Sequence, residues 1–122
     1  MKNLLLATFL VAIAPAAFAE KQVKSCGMDP TYVVSAPLTI QEVERYEMAY
    51  VDEMAKVLPD LPRVPFAYGN SEWVYFKSQV QPGDKIVRFS SNRQSWGDRA
   101  GETGYALLRS GCVIERFVGL RN

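Results

Sequence analysis

Residues 104–120, GYALLRSGCVIERFVGL, are the stretch that decides the fold class. Two runs of apolar and β-branched residues flank Ser110 and Gly111, and a two-residue turn with glycine suits the right-handed twist of paired strands. The stretch therefore predicts an antiparallel hairpin. A turn of these two residues alone fixes the facing pairs, which are Arg109 with Cys112, Leu107 with Ile114, and Tyr105 with Arg116.

The clearest helix signal precedes this hairpin. Thr39 is followed three residues later by Glu42, the spacing of a capping box in which each side chain bonds the other's backbone amide. Apolar residues then recur at steps of three and four, which predicts one buried helix face. That predicted face consists of Val43, Tyr46, Tyr50, Met54 and Val57. Pro59 ends the pattern, because its ring cannot continue a helix.

The remaining elements are predicted from composition. Residues 72–80, EWVYFKSQV, are rich in aromatic and β-branched residues, which favour strands. The turn sequence QPGD at 81–84 leads to KIVRFS at 85–90, and together these predict a second hairpin. TYVV at 31–34 predicts a short edge strand. The expected fold is α+β, a single small domain with one amphipathic helix packed on a four-stranded antiparallel sheet.

The N-terminus has the three parts of a secretory signal peptide. Lys2 is followed by an apolar run that is too short to span a bilayer, and Ala17 and Ala19 are the small residues before a cleavage site. We expect residues 1–19 to be removed and residues 20–122 to form one exported domain, in the periplasm or secreted, with no membrane span left. An uncleaved N-terminal anchor helix is the alternative.

The cysteines are the second sign of export. The chain has two, Cys26 and Cys112, and two thiols in an exported protein usually pair. Closing so long a loop stabilises a fold by roughly 4–5 kcal/mol in the chain-entropy model. A redox-active pair is the alternative, but such pairs favour a Cys-x-x-Cys spacing. The pattern therefore predicts a structural disulfide.

Composition excludes several kinds of catalytic site. The chain contains no histidine, which removes Ser-His and Cys-His pairs and the commonest ligand for zinc or copper. No Ser-x-x-Lys occurs, and no stretch has the alternating oxygen ligands of a calcium loop. We therefore expect neither a metal nor another cofactor.

Charge is balanced overall and uneven along the chain. There are 14 basic and 13 acidic side chains, and removal of Lys2 would make the two numbers equal. Acids dominate before Leu61 and bases after it. This pattern fits an acidic helix beside a basic sheet, or a basic surface for an acidic partner. It lacks the strongly basic stripe of a nucleic-acid-binding protein.

The segment 93–104, RQSWGDRAGETG, is the candidate binding loop. Tryptophan and arginine are enriched at binding hot spots, so the predicted binding residues are Arg93, Trp96, Asp98 and Arg99. The alternative is that Trp96 folds back as a lid over the core. Gly101 and Gly104 have the spacing of a phosphate-cradling loop, but a strand rather than a helix follows them.

These observations favour a non-enzymatic exported protein that binds another envelope or secreted macromolecule, as an inhibitor, accessory subunit or adaptor. One alternative is a small envelope hydrolase that uses Asp98 and Glu102 as its two carboxylates. Another is a protein that holds a small ligand between helix and sheet, lined by Tyr46, Tyr50 and Trp73. The acids along the predicted helix fit a solvated helix face better than a catalytic pair.

Overall fold

The computed structural model describes residues 25–121, with side chains described as far as residue 119. The predicted signal peptide, residues 1–19, lies outside these residues. The chain forms four strands and three α-helices in the described part. In order these are β1 (Val33–Val34), α1 (Ile40–Ala55), a 3-10 turn (Ala67–Gly69), α2 (Asn70–Ser78), β2 (Lys85–Ser90), α3 (Arg93–Gly97), β3 (Glu102–Arg109) and β4 (Cys112–Arg121).

The four strands form one antiparallel sheet in the order β1-β2-β3-β4. The predicted hairpin is confirmed as β3 and β4, and the predicted edge strand is confirmed as β1. Ser110 and Gly111 have φ angles of 50° and 79°, the pair of positive values that a tight hairpin turn needs. The α+β class, with helix packed on a four-stranded antiparallel sheet, is therefore confirmed.

The predicted pairing within the hairpin is correct only next to the turn. Arg109 faces Cys112, but an irregularity between Leu107 and Leu108 shifts the partners of residues 104–107 by one residue, and a second one between Thr103 and Gly104 shifts the end of the hairpin again. Tyr105 therefore faces Phe117 rather than Arg116. Because side chains alternate between the two faces of a strand, this shift places Phe117 in the core beneath the helices.

Helix α1 begins as predicted, and its buried face differs from the predicted one. Thr39 and Glu42 form a complete capping box. The buried residues are Val43, Val51 and Ala55, whereas Tyr46 and Tyr50 are exposed. The buried stripe is hard to see in the sequence because Glu47 lies in its middle, where the Tyr105 hydroxyl donates to it.

The prediction of a strand over residues 72–80 is wrong, because α2 occupies most of this stretch. Trp73 and Phe76 are completely buried, and Val74 and Tyr75 between them are exposed. This three-residue spacing is that of a helix face. The turn at 81–84 therefore connects a helix to β2, and no hairpin forms there. The fourth strand of the sheet is β1.

Both faces of the sheet are covered. One face carries a core cluster shared with α1 and α2, formed by Val43, Trp73, Phe76, Ile86, Tyr105, Leu107 and Phe117. The other face carries Val87, Phe89 and Ala106, covered by Met28 and Tyr32. The predicted disulfide between Cys26 and Cys112 is confirmed. It links the segment that carries Met28 and Tyr32 to the tip of the hairpin.

Candidate functional site

The predicted binding loop forms α3 and its flanks. Asn92 caps the helix by accepting from the Ser95 amide, at 2.8 Å. Trp96 is half-buried, and its indole N–H donates to the Ser90 hydroxyl at 3.3 Å. A Cβ at Gly101 would overlap the Trp96 ring, so glycine is required there for the ring to pack down. Trp96 therefore has the geometry of a lid.

The other three predicted binding residues differ from Trp96. Arg93 lies on α3, Asp98 follows it as the C-cap, and Arg99 adopts a φ of 58° in the turn that leaves the helix. All three side chains are exposed. The structure thus places the four residues on one short segment, with Trp96 directed inward and the charged groups outward.

Glu102, the second acid of the hydrolase hypothesis, takes part in a network on the sheet face opposite the helices. Its carboxylate accepts from the Tyr32 hydroxyl at 2.9 Å and also pairs with Arg116. The Tyr32 ring stacks on Phe89, and the Arg116 guanidinium lies 4.8 Å from the centre of the same ring. These contacts give Glu102 a structural role in holding the N-terminal segment on the sheet.

The three residues of the small-ligand hypothesis separate in the structure. Trp73 is completely buried in the helix-side core and lines none of the surface cavities described below. Tyr46 and Tyr50 are exposed on α1 and do line those cavities. Of the three residues predicted to line a site between helix and sheet, the two tyrosines therefore lie at the surface cavities and the tryptophan does not.

Three adjoining cavities follow α1, and we call them together the α1 groove. The largest, about 460 Å³, lies between α1 and β2 and includes Tyr46 and Arg88 in its wall. A second, about 220 Å³, shares both of these residues. A third, about 270 Å³, shares Tyr50 with the second and continues to Leu58. The groove thus follows the exposed side of the helix from its first turns to beyond its end.

Arg88 is the central charged group of the groove. Its guanidinium lies 5.1 Å from the centre of the Tyr46 ring, a cation–π contact. Ser35 holds the strand at this point: the Arg88 amide donates to the Ser35 hydroxyl at 2.8 Å, and the Arg88 carbonyl accepts from the Ser35 amide at 2.9 Å. In the sequence, Arg88 alternates with Ile86 and Ser90 and so shares the helix-facing side of β2 with them. An arginine at a position where an apolar residue would be expected is the feature that could have identified it.

Tyr105 and Glu47 form a part-buried polar contact in the wall of the groove. The phenol donates to the Glu47 carboxylate at 2.7 Å. Burial of Tyr105, followed by the hydrogen bond to Glu47, raises the pKa of the phenol well above its ordinary value. The Tyr105 phenol therefore stays protonated, and its hydroxyl remains hydrogen-bonded to the Glu47 carboxylate.

Within residues 25–121, no group of three or more acidic or cysteine side chains is placed to hold a metal ion. None of the helices in this part of the chain has the length and apolar composition needed to cross a bilayer. Comparison with protein-family models, with curated proteins and with solved structures gives no match to this chain. The disulfide is compatible with an extracellular or periplasmic location.

Proposed function

We propose that this protein is a small exported binding protein without catalytic activity, which docks on another envelope or secreted macromolecule through the α1 groove. The observation that carries the proposal is a row of large exposed side chains along one side of the domain. Tyr46 is 55% exposed, Tyr50 60% and Tyr68 77%. Tyrosine is enriched in protein interfaces because it combines a large rigid surface with a hydroxyl group.

The three exposed tyrosines belong to one continuous surface, because the neighbouring cavities that they line share wall residues. The third cavity of the groove and a further one of about 270 Å³ share Leu58 and Leu61, and the latter reaches Tyr68. Contiguous apolar patches on a monomer often mark contact sites for other macromolecules. The lack of histidine and the bonding of both cysteines support a binding role over a catalytic one.

Capture from an envelope extract tests this proposal, with the oxidised protein as immobilised bait. Tyr46→Ser combined with Tyr50→Ser removes the centre of the row. The matched control is Val74→Ser combined with Tyr75→Ser, which removes residues that are 51% and 58% exposed on α2. We expect the wild type and the control to retain the same macromolecule, and the α1 variant to lose at least nine-tenths of it. Equal capture by all three proteins, or equal loss from both variants, would contradict docking through the groove.

The exposed charges of the loop remain a separate prediction, which the same assay addresses. Arg93→Ala combined with Arg99→Ala leaves Trp96 and its contact with Ser90 in place. Loss of capture in this variant alone would locate docking at the loop. Replacing Asp98 and Glu102 by their amides addresses the hydrolase hypothesis, since hydrolysis of envelope polysaccharide needs both carboxylates.

A further inference from the structure

We infer that the largest cavity of the α1 groove, between α1 and β2, binds a small amphipathic anion whose acidic group pairs with Arg88 and whose apolar body lies along the cavity wall. Its volume of about 460 Å³ is in the range of sites for small organic molecules. This inference goes beyond docking of a macromolecule, because it concerns a different class of ligand and does not depend on the other cavities.

The wall of this cavity is mainly apolar. Leu38, Val43 and Ala49 contribute aliphatic groups, and the rings of Tyr46 and Tyr105 contribute aromatic surface. Val43 and Tyr105 are also fully packed members of the core, so this part of the wall is rigid. A mainly apolar wall with a few polar groups is typical of a site that takes up the body of an organic ligand.

The charges around the cavity favour an anion. Arg45 and Arg88 both line it, and among the described side chains neither forms a salt bridge. Glu42 is the acid in the wall, and its carboxylate accepts from the Thr39 amide in the capping box. Glu44, the next acid along the helix, pairs with Lys77, and Glu47, which lines the adjoining cavities, accepts from the Tyr105 hydroxyl. These acids thus have hydrogen-bond donors of their own, whereas no carboxylate within the described part of the chain pairs with either arginine.

The position of Arg88 suits it to bind the acidic group. The guanidinium carbon of Arg88 lies over the Tyr46 ring, 5.1 Å from its centre, and this cation–π contact leaves the guanidinium N–H groups able to donate to an oxyanion. Two hydrogen bonds fix the strand from which the side chain starts: the Arg88 amide donates to the Ser35 hydroxyl, and the Arg88 carbonyl accepts from the Ser35 amide. The planar guanidinium of Arg88, positioned in this way, can donate two parallel hydrogen bonds to two oxygens of a carboxylate or sulfonate.

Two fluorescent probes with the same ring system test the inference. 8-Anilinonaphthalene-1-sulfonate carries one negative charge, and N-phenyl-1-naphthylamine lacks the sulfonate. We expect the oxidised protein to bind the sulfonate more tightly than the neutral probe at pH 7. Arg88→Met should weaken sulfonate binding about tenfold, the typical effect of losing one charge-assisted hydrogen bond, and leave the neutral probe's affinity within about twofold.

Two further variants serve as controls for location. Lys85→Met removes another exposed cation of β2, one that lines none of the cavities of the groove, and should change neither affinity. Ala49→Trp fills the cavity from α1 and should weaken both probes, and circular dichroism shows whether each variant is folded. The inference would be overturned by a wild type that binds both probes equally or not at all. An Arg88→Met variant that keeps sulfonate binding, or an Ala49→Trp variant that still binds it at full affinity, would overturn it as well.

Discussion

The Cys26–Cys112 disulfide should contribute about 4.6 kcal/mol to the free energy of unfolding. The two cysteines are 86 residues apart in sequence. In the chain-entropy relation, closing a loop of that length lowers the entropy of the unfolded chain by about 15 cal/mol/K, which is about 4.6 kcal/mol at 25 °C. Small domains have total stabilities of about 5–15 kcal/mol, so the cross-link should be one of the largest single contributions.

Urea unfolding of a Cys26→Ser/Cys112→Ser variant measures this contribution, with the fluorescence of buried Trp73 as the signal. A slope of about 1–3 kcal/mol/M converts the expected loss into a midpoint lower by roughly 1.5–4.6 M. The reduced wild-type protein is the control, because it loses the same cross-link without a change of sequence. Both proteins should show the same loss.

A loss below about 1 kcal/mol in both proteins would refute the reasoning from loop closure. Noncovalent contacts of the N-terminal segment would then be sufficient to restrain it. These contacts include the hydrogen bond from the Val113 amide to the Cys26 carbonyl, at 2.7 Å, the stacking of Tyr32 on Phe89, and the hydrogen bond from the Tyr32 hydroxyl to Glu102.

Three other changes have expected outcomes in thermal or chemical unfolding. Trp96→Ala should cost about 2 kcal/mol, roughly half the value for a fully buried tryptophan, and an unchanged melting temperature would argue against the lid. Gly104→Ala should cost about 1–3 kcal/mol or prevent folding, because the added Cβ would overlap the backbone oxygen of Phe117; wild-type stability would contradict this packing. Asp84→Asn should lower the melting temperature at pH 7, since the side chain is 2% exposed and accepts two hydrogen bonds of 2.9 Å from Arg109. These bonds hold the pKa of Asp84 below its ordinary value, so its stabilisation is present above about pH 4, and the difference from wild type should narrow as pH falls further.

Local patterns were sufficient for the parts of the fold that depend on neighbouring residues. The capping box at Thr39 marks the start of α1, and the glycine turn at Gly111 marks the β3–β4 hairpin. The compartment implied by the N-terminus predicts the disulfide. Each of these features is set by a few residues close in sequence or by simple chemistry, and the structure contains each of them.

The two main failures have different causes, a local spacing that composition obscured and a bulge set by tertiary packing. Aromatic composition favoured a strand over 72–80, but the spacing of Trp73, Phe76 and Val80 is that of a helix face and is the better signal. In the hairpin, the bulge cannot be seen in local sequence, because it brings Phe117 opposite Tyr105 to complete the core.

The candidate site was only partly visible in the sequence. The sequence singles out the tyrosines of α1, but as core residues and as lining for a ligand that would also contact Trp73. Arg88 was missed because a single arginine in a strand has many explanations until the opposite wall is known. Its cation–π contact with Tyr46 depends on how α1 crosses the sheet, which no local pattern specifies.

The double covering of the sheet has a consequence for motion within the domain. β3 has β2 and β4 on its two edges, the helices on one face and the segment of Met28 and Tyr32 on the other. Its amides can reach solvent only when the surrounding layers separate together, so their hydrogen exchange should occur by global opening. β1 has two residues and one neighbouring strand, and it should exchange by fraying, long before the rest of the sheet.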